Sequence, residues 1–247
     1  MKRRQAVHRQ GIGHVEVILA FLVFVSAVLF IFSFVEFQGG RGESDDATLS
    51  YLTNYLTTNM SVPGEIYSVI IKDANAPLLL AIELPEELRM EERIRVENKN
   101  GDKIAARKHP TNAKQIIVQR AAMGEVFLRV VISEAITLRE DNLQTPQSLD
   151  PAKPLPYTVA SHTSSLMLAE SKARAFAERY HGEYNALREE LGLQQTQFGL
   201  SVRIGKDFIN AQNVIPARAD VRAQNVRQSV LRADGTREFA DVVVKVW

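Results

Sequence analysis

The stretch VILAFLVFVSAVLFIFSFV, Val17 to Val35, constrains this chain more than any other part of it. It holds no charge and no proline over about 19 residues, and a helix of that length, rising 1.5 Å per residue, crosses most of a hydrocarbon layer about 30 Å thick. A core helix this apolar on every face needs a partner of similar length, and the chain has no second run of the kind. The reading is a single N-terminal transmembrane helix over 12–37, with folded modules after it.

Charge around the run sets its direction. Lys2, Arg3, Arg4 and Arg9 precede it, whereas Glu36, Arg41, Glu43, Asp45 and Asp46 follow. By the positive-inside rule this places the N-terminus in the cytoplasm and the C-terminal modules outside, a single-pass protein of the cell membrane. The FQGGRGES stretch after the run lacks an A-x-A cleavage site, so the helix is expected to stay on the chain. GGRGES reads as a flexible linker within 38–60, followed by a short juxtamembrane helix in which Leu49, Leu52, Tyr55 and Leu56 recur at helical spacing.

Directly before the run stands RRQAVHRQGIGHVEV: a basic leader over 1–11 ending at Gly11, then Ile12, with Glu16 the fifth residue after the glycine. This arrangement resembles the class III signal of type IV prepilins, the family of bacterial pilins, pseudopilins and archaeal pilin-like proteins. The resemblance implies that a prepilin peptidase cuts between Gly11 and Ile12 and that the helix remains on the mature chain. It also implies that Glu16 meets the free amine of a neighbouring subunit during assembly. Charge burial agrees with a need for such a partner, because a carboxylate carried to the centre of a bilayer costs about 2.5–3.5 kcal/mol. Ala20, Ser26 and Ala27 allow helices to approach closely. Ile12 and His14 depart from the commonest residues of the family at those positions, and Gly13 gives a second register that spoils the glutamate spacing. The other reading of the same residues is an uncleaved anchor in which Glu16 reaches interfacial water.

After the anchor the pattern changes to branched residues in short runs: EIYSVII, PLLLAIEL, RIRVE, KQIIVQ and EVFLRVVI. These make 61–144 a β-rich, sandwich-like domain, with Asn100 and Gly101 as a tight hairpin turn. Four prolines in TPQSLDPAKPLP mark 145–156 as a linker. Over 157–247 the expectation is an α+β module. Its helix presents Leu166, Ala169, Ala173, Phe176, Tyr180, Tyr184, Leu187 and Leu191 on one face, with Gly182 a weak point and Gly192 a C-terminal cap. Its sheet comes from FGLSVRI and a closing hairpin that turns at Asp234 and Gly235. The closing strand VVVKVW and the ELG turn also resemble archaeal pilin-like proteins. The fold class is thus α+β: a transmembrane helix, a β-rich region and an α+β module.

Chemistry is hard to find in this sequence. There is no cysteine, which removes thiolate metal sites and cysteine nucleophiles, and a net charge of +1 gives no overall attraction to nucleic acid. His109, His162 and His181 stand in unrelated contexts without metal-ligand spacing, and neither a P-loop nor a G-x-S-x-G elbow occurs. GIGHVE lacks the preceding strand and third glycine of a dinucleotide loop. The acidic clusters PEEL, MEER and REEL read as solvated surface. Asn59, in the sequon Asn59-Met60-Ser61, is a candidate glycan acceptor. No cofactor, metal or catalytic residue is expected. The expected partners are the membrane, a prepilin peptidase and other pilin-like subunits, and the expected function is that of a minor pilin or pseudopilin. A permanently anchored surface protein with a binding ectodomain is the alternative.

Overall fold

The computed structural model describes residues 8–73, 76–120, 126–146, 155–193 and 196–247, leaving aside the side chains of 8–16 and 31–45. The chain divides into two compact units, Met1–Ser50 and Tyr51–Trp247. Helix α1, His8–Asn59, is 52 residues long and continues through GGRGES, where a flexible linker was expected. Three glycines there are individually costly to a helix, by about 1 kcal/mol each, but none of them forbids it as a proline would.

The second unit is built on strands β1 (Ser61–Ile71), β2 (Leu79–Glu83), β3 (Arg93–Asn98), β4 (Lys103–Lys108), β5 (Gln115–Gln119), β6 (Phe127–Ser133) and β7 (Tyr157–Ala169), then helix α2 (Glu170–Glu190), then β8 (Phe198–Ile204), β9 (Asp207–Ala211), β10 (Arg222–Leu231) and β11 (Arg237–Val246). All eleven strands join in one sheet, in the order β2-β5-β4-β3-β6-β1-β7-β10-β11-β8-β9.

Two expectations are corrected here. Among the described residues no helix is long and apolar enough to cross a membrane, so the transmembrane helix over 12–37 and the single-pass placement built on it are not supported. Nor does a sandwich-like region precede a separate α+β module, because the strands from both stretches belong to one sheet. The physical reason is β7. Its thirteen residues pair with β1 along their length, from Ser61↔Leu168 to Ile71↔Tyr157, and its end then pairs with β10. Leu166, expected on the helix face, lies in this strand because the ladder continues to Leu168, and strand pairing there outweighs the helical spacing of the sequence.

From β2 to β7 the sheet curls. Tyr67, Val69, Leu80, Ile82, Ile94, Val96, Ile104, Ile116, Val118, Leu128, Val130 and Tyr157 come from seven strands yet share one buried cluster, which a flat sheet cannot achieve. Tyr157 closes the curl, its hydroxyl accepting from the Glu83 amide of β2 at 2.8 Å. Both hairpin turns sit at the glycines the sequence marks. Gly101 has φ 86° between β3 and β4, and Gly235 has φ 84° between β10 and β11, where the Asp234 carboxylate accepts from the Thr236 amide at 2.8 Å.

Helix α2 buries Ala173, Ala177, Tyr180 and Leu187. The buried side of the three strands β11-β8-β9 carries Leu200, Val202, Ile204, Ile209, Ala211, Val242 and Val244. The helix kinks at Glu183, next to Gly182, and ends as Gly192 takes φ 70° while its amide donates to the Glu189 carbonyl.

Candidate functional site

In the first unit, α1 is an apolar cylinder over Val17–Phe30. Val17, Ile18, Leu19, Phe21, Leu22, Val23, Phe24, Leu29 and Phe30 are each 60% to 69% exposed. Residues 17–19 and 21–24 step round the helix by about 100° each, so no side of it is polar. Fully burying side chains of this kind is worth about 1.5–3 kcal/mol apiece. Nine of the exposed large apolar side chains among the described residues lie in this one segment.

The residues singled out for processing and assembly adjoin it. Gly11, Ile12 and Glu16 belong to the backbone of α1, and their side chains lie outside the described residues. Asn59 is the last residue of α1 and is exposed. Ser61, two positions on, is buried. Its hydroxyl donates to the Thr57 carbonyl at 2.6 Å and accepts from Gln228 Nε2 at 3.0 Å.

The second unit holds three polar clusters. In the first, the Tyr67 hydroxyl donates to Glu65 at 2.8 Å and the His162 ring stacks on Tyr67 with centroids 4.4 Å apart. Burial, then the hydrogen bond to Glu65, pushes the Tyr67 hydroxyl well above its usual range, which suits a structural donor rather than a base. In the second, Arg232 reaches Glu238 at 2.7 Å, Asp207 at 2.5 Å and the Ile204 carbonyl at 3.2 Å, with Glu170 of α2 3.8 Å away. Hydrogen bonds to Glu238 and Asp207 raise the guanidinium further above its ordinary value, and the Arg232 bond holds Asp207 below the usual carboxylate range. In the third, Arg95 donates to Glu97 at 2.7 Å and to the Asp234 carbonyl at 3.0 Å.

The two arginine clusters use their charges to join elements: α2 and β9 to β11, or β3 to the β10–β11 turn. The sequence reading missed both arginine clusters because their members are far apart in the chain. Only Arg232 beside the Asp234-Gly235 turn carried a local signal, a cation placed where a hairpin folds back.

The remaining candidates do not converge. His109 lines a cleft of about 320 Å³ with Arg89, Met90, Lys108 and Asn112. Its Nδ1 accepts from the Asn112 amide at 3.1 Å, while Lys108 is held by the Arg89, Met90 and Glu92 carbonyls. His181 contacts the Asn210 carbonyl, and His162 sits in the Tyr67 cluster, so the structure does not bring the three histidines together. Among the described residues no three His, Asp or Glu side chains could share a metal ion. In the acidic clusters Glu86, Glu87 and Glu91 are exposed, Glu92 caps the Arg89 amide, and Glu190 pairs with Arg179.

No protein-family model, curated protein or solved structure matches this chain.

Proposed function

We propose that the chain is a pilin-like structural subunit, a minor pilin or pseudopilin that assembles with similar chains through the N-terminal part of α1 and displays its sheet unit at the cell surface. The observation that carries this reading is the apolar segment Val17–Phe30, uncovered on every side and placed directly after the Gly11, Ile12, Glu16 spacing. A helix apolar all round needs apolar neighbours, and packed helices of other subunits supply them. Cutting after Gly11 creates an amine at Ile12. The Glu16 carboxylate of an adjacent subunit then has a cation to meet at the edge of an apolar bundle, where an unpaired charge is costly. The arginine clusters of the second unit fit a supporting role, since they fix the sheet rather than present reactive groups.

The test is Glu16→Ala in the native host. Assembly into sheared surface filaments or a cross-linkable complex is expected to fall at least tenfold, with the amount of folded protein unchanged. Wild-type assembly by the variant sinks the role given to Glu16.

A further inference from the structure

Strand β7 is paired along one side and almost bare along the other. On the β1 side the ladder covers its whole length; on the other, β10 meets it in parallel at two positions, Val230↔Leu168 and Leu231↔Ala169. The ladders fix where each backbone group points. The Ala169 amide donates to the Met60 carbonyl at 2.8 Å, and in an antiparallel pair alternate residues turn both their N–H and C=O to the partner. Met167, Ser165, Thr163 and Ser161 therefore face β1, whereas Leu166, Ser164 and His162 turn away from it. On β10 the Arg232 amide donates to the Thr236 carbonyl at 2.9 Å, so Arg227, Asn225 and Ala223 turn away from β11 and toward the β7 side.

Among the described residues no backbone partner meets these six. Every residue from Ala160 to Leu166 is exposed, as are Ala223, Asn225 and Arg227. Two parallel strands that join at one end and separate beyond it leave a slot with unpaired backbone on both walls. Natural edge strands are commonly guarded by lysine, proline or inward charge. Neither YTVASHTSSLMLA nor RAQNVRQSVL contains a lysine or a proline, and the irregularity in β7 lies past His162, opposite Ser68 and Val69.

We propose that this slot binds an extended, carboxylate-bearing strand of another polypeptide, running antiparallel to both β7 and β10. Main-chain bonds to Leu166, Ser164 and His162 on one side and to Ala223, Asn225 and Arg227 on the other hold it. Charge selects its composition. The two walls contain no Asp or Glu and carry His162 and the exposed Arg227, whose guanidinium lies over the Phe239 ring 5.2 Å from its centroid. The carboxylates one strand further out are already engaged or opposed. Glu65 accepts from Tyr67 and lies 3.6 Å from His162, while Asp241 stands across from Arg227 on one side and Arg203 on the other. His162, Ser164 and Leu166 project on one face, so the bound strand meets a ring, a hydroxyl and an apolar side chain in alternate positions. The slot is independent of the N-terminal helix and of the filament reading.

The test tethers a probe to the full-length chain, kept dispersed in detergent. A strand of alternating Thr and Val with one central Glu is joined to Trp247 through a flexible Gly/Ser linker; Val246 lies opposite Arg222, at the open end of the slot. Tethering raises the local concentration to about the millimolar range, enough to reveal a weak site. Hydrogen exchange is read by mass spectrometry in the peptides covering β7 and β10. Exchange in both is expected to slow about tenfold with the Glu strand and less with a Lys strand, and to stay unchanged with a strand interrupted by prolines. No slowing with the Glu strand overturns the proposal. So does equal slowing by the proline strand, protection of only one of the two walls, or protection in the untethered chain that rises with its concentration, which assigns the edges to a second copy.

Discussion

Replacing Arg95 by Met separates two accounts of how the sheet unit holds together. Arg95 on β3 is buried, its side chain 9% exposed, and it donates to Glu97, whose side chain is 7% exposed. It also bonds the Asp234 carbonyl in the β10–β11 turn, so it links strands that stand four and five places apart in the sheet order. Methionine keeps much of the volume but leaves the Glu97 carboxylate buried, with only Arg129 at 3.7 Å to answer its charge. Breaking a buried pair in this way costs about 3–5 kcal/mol, because one charge is left uncompensated. For a unit of this size that lowers Tm by roughly 10 °C. Removing both partners, in Arg95→Met with Glu97→Leu, takes away the orphaned charge and is expected to recover most of the loss, to within about 1–2 kcal/mol of the original. Thermal and urea unfolding followed by circular dichroism measure both variants. The reasoning fails if the single variant loses less than about 1 kcal/mol, or if the double variant is worse than the sum of its parts.

Three further outcomes are expected. Gly235→Ala forces a left-handed residue at φ 84° and sets a Cβ 2.8 Å from that of Arg95, so the variant should lose about 1–3 kcal/mol in the same unfolding assay; a neutral result contradicts the described turn. Tyr180→Phe removes a buried hydroxyl that donates to the Phe198 carbonyl at 2.5 Å and accepts from the Asn213 amide at 3.2 Å, and should cost about 1–3 kcal/mol, with an unchanged Tm counting against it. Stability should hold near neutral pH and decline on both sides. Asp207 and Glu190, held by arginines, and Asp234, where bonds from Thr236 and nearby arginines outweigh burial, all lie below the ordinary carboxylate range. The stability they give is complete above about pH 4 and lost as pH falls through their lowered values. Tyr67 and Tyr180 are raised chiefly by burial, so their contribution is complete below about pH 10 and is lost above it. A Tm that rises on acidification from pH 5 to pH 3 contradicts the acid half of that sign.

What the sequence made legible was local. Asn100-Gly101 and Asp234-Gly235 mark their turns because a positive φ needs glycine, and Gly192 caps α2 for the same reason. The runs EIYSVII, RIRVE and EVFLRVVI become β1, β3 and β6 because alternate branched side chains fill one curled core. What escaped was long-range. Leu166 to Ala169 fits a helical face and a strand equally well, and only pairing with Ser61 to Pro63 decides for the strand. The prolines of 145–156 look like a boundary between modules, yet the Pro156 carbonyl accepts from the Lys72 amide at 2.7 Å and leads straight into the strand that unites the sheet. The Arg95 and Arg232 clusters, and the open side of β7, depend on which strands become neighbours, information that no local window contains. The exposed apolar helix was legible from composition alone; the crossing of a membrane that its length implied was not supported among the described residues.

The most direct measurement of the central claim is the N-terminal sequence of the protein purified from its native cells, beside that of a Gly11 variant. Assembly as a pilin-like subunit predicts a chain that starts at Ile12 and a variant that keeps its basic leader. An intact start at Met1 or Lys2 in native cells with an active prepilin peptidase contradicts it.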